Sequence, residues 1–247
     1  MLFVNPVPNR ELKLLYIMGA TWHTRCMFDL DTDDASFARL LNQQGIETYA
    51  PDIVGTGPGN KNQVIGNGYQ QTLDCLDYIV TEFGIDHVMG YSTGCAFVGD
   101  LVKKHNFKKI VLLDPQSRSR VNRTLIDNDK YTITKQSVRQ ALIENSTSVD
   151  ATTTEHHLNA LCAGDTLTTA AWPMLGRYLT VFDSQQYVDN LVNNYQTKTF
   201  FTKQSTQEVR QRFGTHGTYW PHISHWVLLE PYRKELAQEI SDFLKHE

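Results

Sequence analysis

The chain has 247 residues, 40% of them hydrophobic and 20% charged, with a formal charge of −4 and no low-complexity or periodic segment; this excludes a disordered or fibrous protein and fits one α/β domain or two small ones. No basic cluster exceeds short pairs such as Lys103-Lys104 and Lys108-Lys109, so nucleic acid is not an expected partner. The opening stretch MLFVNPVPNRELK lacks a basic segment followed by an apolar one, and no apolar run approaches the ~18 residues that span a bilayer, so a cytoplasmic protein without membrane insertion is expected.

Residues 11–18 (ELKLLYIM) and 46–53 (IETYAPDI) are short apolar runs that give way to glycine, and both predict strands. Between them, residues 33–45 (DDASFARLLNQQG) set Asp and Ser before Phe37, Leu40 and Leu41 at helical spacing, with Gly45 as a stop. That is one β-α-β unit. The pattern repeats with a helix at 69–84, whose Leu73, Leu76 and Ile79 or Val80 share a face, a strand at 85–90, a helix at 93–106 and a strand at 108–115. Such alternation predicts an α/β fold, a mostly parallel sheet flanked by helices on both faces. From 116 to 196 the alternation stops and the chain turns polar and helix-like, which reads as an insertion. A strand at 197–203 (TKTFFTK) then resumes the pattern, and Leu236, Ile240, Phe243 and Leu244 mark a closing amphipathic helix. The core is thus expected at 1–115 and 197–247.

Residues 88–97 (VMGYSTGCAF) carry the chemistry. Gly90 and Gly94 stand two residues either side of Ser92, between a strand and a helix, where a Cβ would clash in a tight, strained turn. Such a turn lifts the hydroxyl off the carboxyl ends of the strands, where open α/β sheets bind ligands, and the helix aims its first N–H groups at the same point. Taken alone, the five-residue pattern also fits a structural turn. Cys95 reads as packing rather than as a thiol nucleophile, and Cys26, Cys75, Cys95 and Cys162 lack the spacing of a disulfide framework.

Four landmarks in order resemble the α/β-hydrolase superfamily over nearly all of the chain, least within 116–196. GYSTG matches its nucleophile elbow, and YIMGATWHTRCMF resembles the strand and oxyanion loop, with Met18 in place of the usual histidine and Gly19 kept. PDIVGTGPGN resembles the Asp-x-x-Gly-x-Gly stretch of the family, and SHWVLLEPYRKELAQEISDFL its closing block, where the catalytic histidine precedes a proline and the last helix. The resemblance implies an α/β-hydrolase fold whose insertion, 116–196, is a helical cap.

A serine hydroxyl becomes nucleophilic when a base takes its proton, and His225, on the loop before the last helix, is the expected base. His222 is the neighbour most easily confused with it. His216, His222 and His225 come without an HExxH pattern, so no metal is expected. The acid is less direct. Family members usually carry it as Gly-x-x-Asp after the strand that reads KTFF here, yet TKQSTQEV has no aspartate. Some members of the family instead carry the acid at the end of the strand after the nucleophile helix, where Asp114 stands here, and that resemblance favours Asp114 over Glu208, the carboxylate in the usual loop; a cap on the Asp-Pro turn is the structural reading of Asp114. The resemblance gives the oxyanion donors to the backbone N–H groups of Ala20 and Thr93.

Trp22 and Tyr91 from the core and Trp172 from the cap are expected to wall an apolar substrate pocket, although Trp172, Leu175 and Leu179 also fit the buried face of a cap helix. His156-His157 reads as solvated helix surface. The expected activity is that of a serine esterase or thioesterase acting on a small, partly apolar molecule through an acyl-enzyme, with no metal or organic cofactor. The alternative is a hydrolase-like scaffold that binds a small apolar ligand or a partner with little turnover. A homodimer is compatible with either.

Overall fold

The computed structural model describes residues 1–19, 23–31, 36–56, 68–115, 131–146, 148–161, 166–169 and 185–246. Its strands are β1 (Leu2–Asn5), β2 (Leu12–Ile17), β3 (Ile46–Pro51), β4 (His87–Tyr91), β5 (Lys109–Leu113), β6 (Tyr131–Thr134), β7 (Thr166–Thr169), β8 (Gln196–Thr202) and β9 (Gly217–Trp220). Seven of them form one sheet in the order β1-β3-β2-β4-β5-β8-β9, with β1 antiparallel and every other pairing parallel. Every residue of β3, β4 and β5 is buried, because helices cover both faces of these central strands.

The period-two alternation of the strands divides their side chains between two cores. Tyr16, Met89, Tyr91, Val111 and Leu113 point to one, which is closed by Leu236 and Ile240 of the helix Arg233–Lys245. Leu15, Ile17, Val88, Ile110 and Leu112 point to the other, closed by Leu76 and Val80 of the helix Gly68–Phe83 and by the helix Gly94–Leu101. Every residue of this last helix except Asp100 is buried, and it lies tight against the sheet. A Cβ on Gly94 would stand 2.2 Å from the Ile17 carbonyl oxygen, and one on Gly90 would stand 2.7 Å from Cys95 Cα. The two glycines of the serine motif therefore serve close approach, and neither has a positive φ.

The segment read as a helix-like insertion holds strands as well as helices among its described residues. It holds the helices Lys135–Asn145 and Ala151–Leu161, but β6 and β7 pair as an antiparallel two-stranded sheet. Thr-rich stretches at both strands favour extended backbone over helix. Val138, Leu142, Leu158 and Leu161 from the two helices pack into the first core. The helix Gln185–Asn194, placed in the insertion by the sequence, belongs with the second core: Tyr187, Val188 and Leu191 are buried there, and the Tyr187 hydroxyl donates to the Cys95 carbonyl at 2.8 Å. Residues 170–179, with Trp172, Leu175 and Leu179, lie outside the described residues. Among the described residues, no helix is long and apolar enough to cross a membrane.

Candidate active site

Neighbouring strands β4 and β5 end in register, Tyr91 opposite Leu113. The next residue of each carries a polar side chain, Ser92 after β4 and Asp114 after β5. Both have left-handed backbones, with φ of 55° and 42°. Such a conformation is strained for a residue with a Cβ, and hydrogen bonds of 2.8 Å from the Ser92 N–H to the Leu113 carbonyl and from the Asp114 N–H to the Phe200 carbonyl hold it.

His225 reaches both from the loop before the last helix. Its Nε2 stands 3.1 Å from Ser92 Oγ, and its Nδ1 meets Asp114 Oδ2. A carboxylate can only accept here, so Nδ1 carries the proton and Nε2 presents its lone pair to the serine hydroxyl. Asp114 is wholly buried, whereas the His225 side chain is 23% exposed. The acid is thus sealed while part of the imidazole stays open to solvent.

Burial alone would raise the Asp114 carboxyl, but the neighbouring His225 and hydrogen bonds from His225, Ser205 and Thr202 outweigh it and hold the group below the usual carboxylate range. The supporting groups come from the last residue of β8 and the turn after it. The Thr202 hydroxyl donates to Asp114 Oδ2 at 2.9 Å and the Ser205 hydroxyl to Oδ1, and Gln204 Oε1 accepts the His225 N–H at 2.8 Å. This is the loop in which the sequence shows no aspartate. It supplies two hydroxyls to an acid brought from the neighbouring strand and one amide oxygen to the backbone of His225.

Glu208 lies elsewhere. Its side chain is 68% exposed and pairs with Arg212 one turn along the helix Gln207–Phe213. Tyr91, expected to wall a pocket, is instead fully buried, because its place on β4 points it into the first core. There its ring stacks on that of His225, with centroids 5.0 Å apart, and its hydroxyl donates to the His225 carbonyl. Thr93 is buried and heads the helix Gly94–Leu101, beside Ser92. Ala20, Trp22 and Trp172 lie outside the described residues. Gly19 borders the site, since a Cβ there would come within 2.9 Å of Ser92 Cβ. Met18 is core, with the Tyr16 hydroxyl 3.0 Å from its sulfur.

Cys95 is buried against the Leu113 carbonyl, and burial pushes its thiol well up, which leaves it protonated and inert at neutral pH. His157 is not solvated surface: it is fully buried, its Nδ1 bonds the Cys26 carbonyl, and its ring meets Trp226 edge-on at 5.9 Å. Among the described residues, no three His, Cys, Asp or Glu side chains gather in a way that could hold a metal ion.

No family model matches this chain, and no curated protein sequence does. Solved structures do. A lipase-esterase related protein from Clostridium acetobutylicum shares 18% identity with a TM-score of 0.66, the match covering 98% of this chain and 99% of that one. A monoacylglycerol lipase from Paleococcus ferrophilus shares 13% with a TM-score of 0.69, covering 99% and 97%. A thioesterase domain from the curacin biosynthetic pathway shares 17% with a TM-score of 0.62, covering 99% and 94%. Identities this low carry the fold and not the substrate.

Proposed function

This chain has the α/β-hydrolase fold, and from that premise we propose that it is a serine hydrolase that cleaves a carboxylic ester or thioester of a small, partly apolar molecule. One observation carries the reading: a hydroxyl 3.1 Å from an imidazole nitrogen whose other nitrogen meets a buried carboxylate. Lipase, esterase and thioesterase neighbours of the same fold favour this substrate class.

Ser92 Oγ attacks the carbonyl carbon as its proton passes to His225 Nε2, and the carbonyl electron pair moves onto oxygen. The backbone N–H groups of Thr93 and Ala20 are the proposed donors to that oxyanion, and loss of one such donor typically costs ~10²-fold in rate. As the tetrahedral intermediate collapses, the bond to the leaving oxygen or sulfur breaks and His225 protonates the departing group. An acyl-serine remains. Water then attacks it, giving its proton to His225, and the acid product leaves with Ser92 restored. Asp114 keeps the Nδ1 proton in place and stabilises the imidazolium in both halves. The segment between the core portions is the proposed cap, setting which acyl group enters; Trp22 of the core and Trp172 of the cap are the proposed apolar contacts of that group.

A fluorophosphonate probe tests the reading. Labelling at Ser92 that vanishes in Ser92→Ala supports it, and folded protein that resists labelling rejects it. A panel of p-nitrophenyl esters and acyl-thioesters of graded chain length then reads the substrate class from kcat/KM.

A further inference from the structure

Glu230, on the loop that carries His225, is a carboxylic acid only 1% exposed. Its oxygens accept the Ser224 N–H, each at 3.2 Å, and also the Ser224 and Ser146 hydroxyls. The Ser224 oxygen in turn accepts the Trp226 N–H at 3.1 Å. The carboxylate thereby fixes the residue before His225 and, through it, the residue after. The third donor comes from far along the chain. Ser146 is itself buried and stands just past the helix Lys135–Asn145, 84 residues before Glu230.

The same helix end reaches the turn a second time. Gln204 Nε2 donates to the Asn145 carbonyl at 3.4 Å, while Gln204 Oε1 accepts the His225 N–H at 2.8 Å. One bridge, Ser146–Glu230–Ser224, lies on the flank before the imidazole, and the other, Asn145–Gln204–His225, grips the histidine backbone itself. Taking a carboxylate out of water to meet neutral donors is costly, and an apolar side chain would fill the space without that cost. What an apolar side chain lacks is the capacity to bind donors from two segments at once.

We infer that Glu230 is a positioning residue for His225, and that Ser146 and Glu230 couple the seat of the helix Lys135–Asn145 to the place of the imidazole. The inference rests on the proposal that His225 serves Ser92 as base. A displacement of that helix then changes the distance between His225 and Ser92. Catalytic geometry tolerates little such error, since a misplacement of about 1 Å can cost ~10²-fold in rate.

Two readouts test the coupling: the rate of fluorophosphonate labelling at Ser92, and hydrogen exchange at the Ser224 and Trp226 amides. Ser146→Ala removes a single hydroxyl and is expected to slow labelling about tenfold and to speed exchange at both amides, with global unfolding unchanged. In a Glu230→Ala background the tie is already cut, so adding Ser146→Ala is expected to change labelling by less than about twofold. Effects that multiply in the double variant overturn the coupling. Should Glu230→Ala fail to fold, Ser146→Ala decides alone, and wild-type labelling and exchange in that variant overturn the inference. If exchange rises in Ser146→Ala while the wild-type protein takes no label at Ser92, the tie between helix and turn is supported and the hydrolase reading is the one that fails.

Discussion

Ser92 and Asp114 are the two non-glycine residues, among those described, with a left-handed backbone, and each stands one position beyond the end of its strand. The strands are neighbours paired in register, so equal bends at equal heights aim both side chains at one imidazole. Strain of this kind persists only where the surroundings impose it, at roughly 1–3 kcal/mol for each residue. Here the imposing groups are the Leu113 and Phe200 carbonyls and, at Ser92, the close-packed helix behind it.

Relief of that strain is measurable without catalysis. Ser92→Ala and Ser92→Gly both lose the hydroxyl, and both are expected to abolish turnover. Ordinarily glycine is the less stable of the two, because the unfolded chain gains freedom. At φ 55° the order reverses, and Ser92→Gly is expected to exceed Ser92→Ala by about 1 kcal/mol in denaturant melts. The usual order would mean that the bend is not strained.

The two candidate acids separate by substitution. Asp114→Asn keeps the shape but leaves Nδ1 facing an amide, which allows the wrong tautomer, and kcat is expected to fall about 10³- to 10⁴-fold with folding retained. Glu208→Gln breaks only an exposed pair with Arg212 and is expected to leave kcat within about twofold. Steady-state turnover of an activated ester by both variants decides. A large loss in Glu208→Gln would sink the assignment of Asp114.

The sheet's central strands were legible because burial on both faces leaves continuous apolar runs, and Gly90, Ser92 and Gly94 were legible because strand, bend and helix meet there. Strand β9 was missed: GTYW is short and sits between histidine, glycine and proline, with little apolar run to mark it. Tyr91 was misplaced because an aromatic beside a nucleophile suggests a pocket, whereas strand alternation sends it inward under His225. Thr202, Gln204 and Ser205 gave no warning beyond the missing aspartate, since hydroxyls and amides are ordinary in a surface turn. His157 was hidden for a related reason. The buried face of its helix is Thr153, Thr154, His157, Leu158 and Leu161, so polar residues mask the stripe that hydropathy would reveal.

Gly94 sets how close the helix Gly94–Leu101 lies to β2. In Gly94→Ala the added carbon would meet the Ile17 and Met18 carbonyl oxygens at 2.2 and 2.6 Å. Both are backbone atoms of a strand end buried in the sheet, so the helix must move instead. A loss of about 3 kcal/mol is expected in urea melts, together with slowed labelling of Ser92 because Thr93 and Ser92 ride on the same helix start. Stability equal to the parent would show that the helix has room the geometry denies it.

His157 makes the junction between the helix Ala151–Leu161 and the core sensitive to acid. Burial drives its imidazole from the usual 6.5 down to about 4, with His23 nearby adding to the shift and the bond to the Cys26 carbonyl opposing it. Trp226, which meets the ring edge-on, carries no charge. The unfolded chain therefore takes up a proton that the folded chain refuses until about pH 4. Above pH 6.5 nothing is lost; as pH falls through the interval the folded state is penalised, reaching about 3 kcal/mol at its lower end. His87, also lowered by burial, contributes in the same direction, so the informative quantity is the difference between parent and His157→Asn. Asn places a donor near the Nδ1 position without titrating. Its denaturant stability is expected to fall less steeply between pH 6.5 and 4.5 than the parent's, and equal slopes would remove His157 from the acid response.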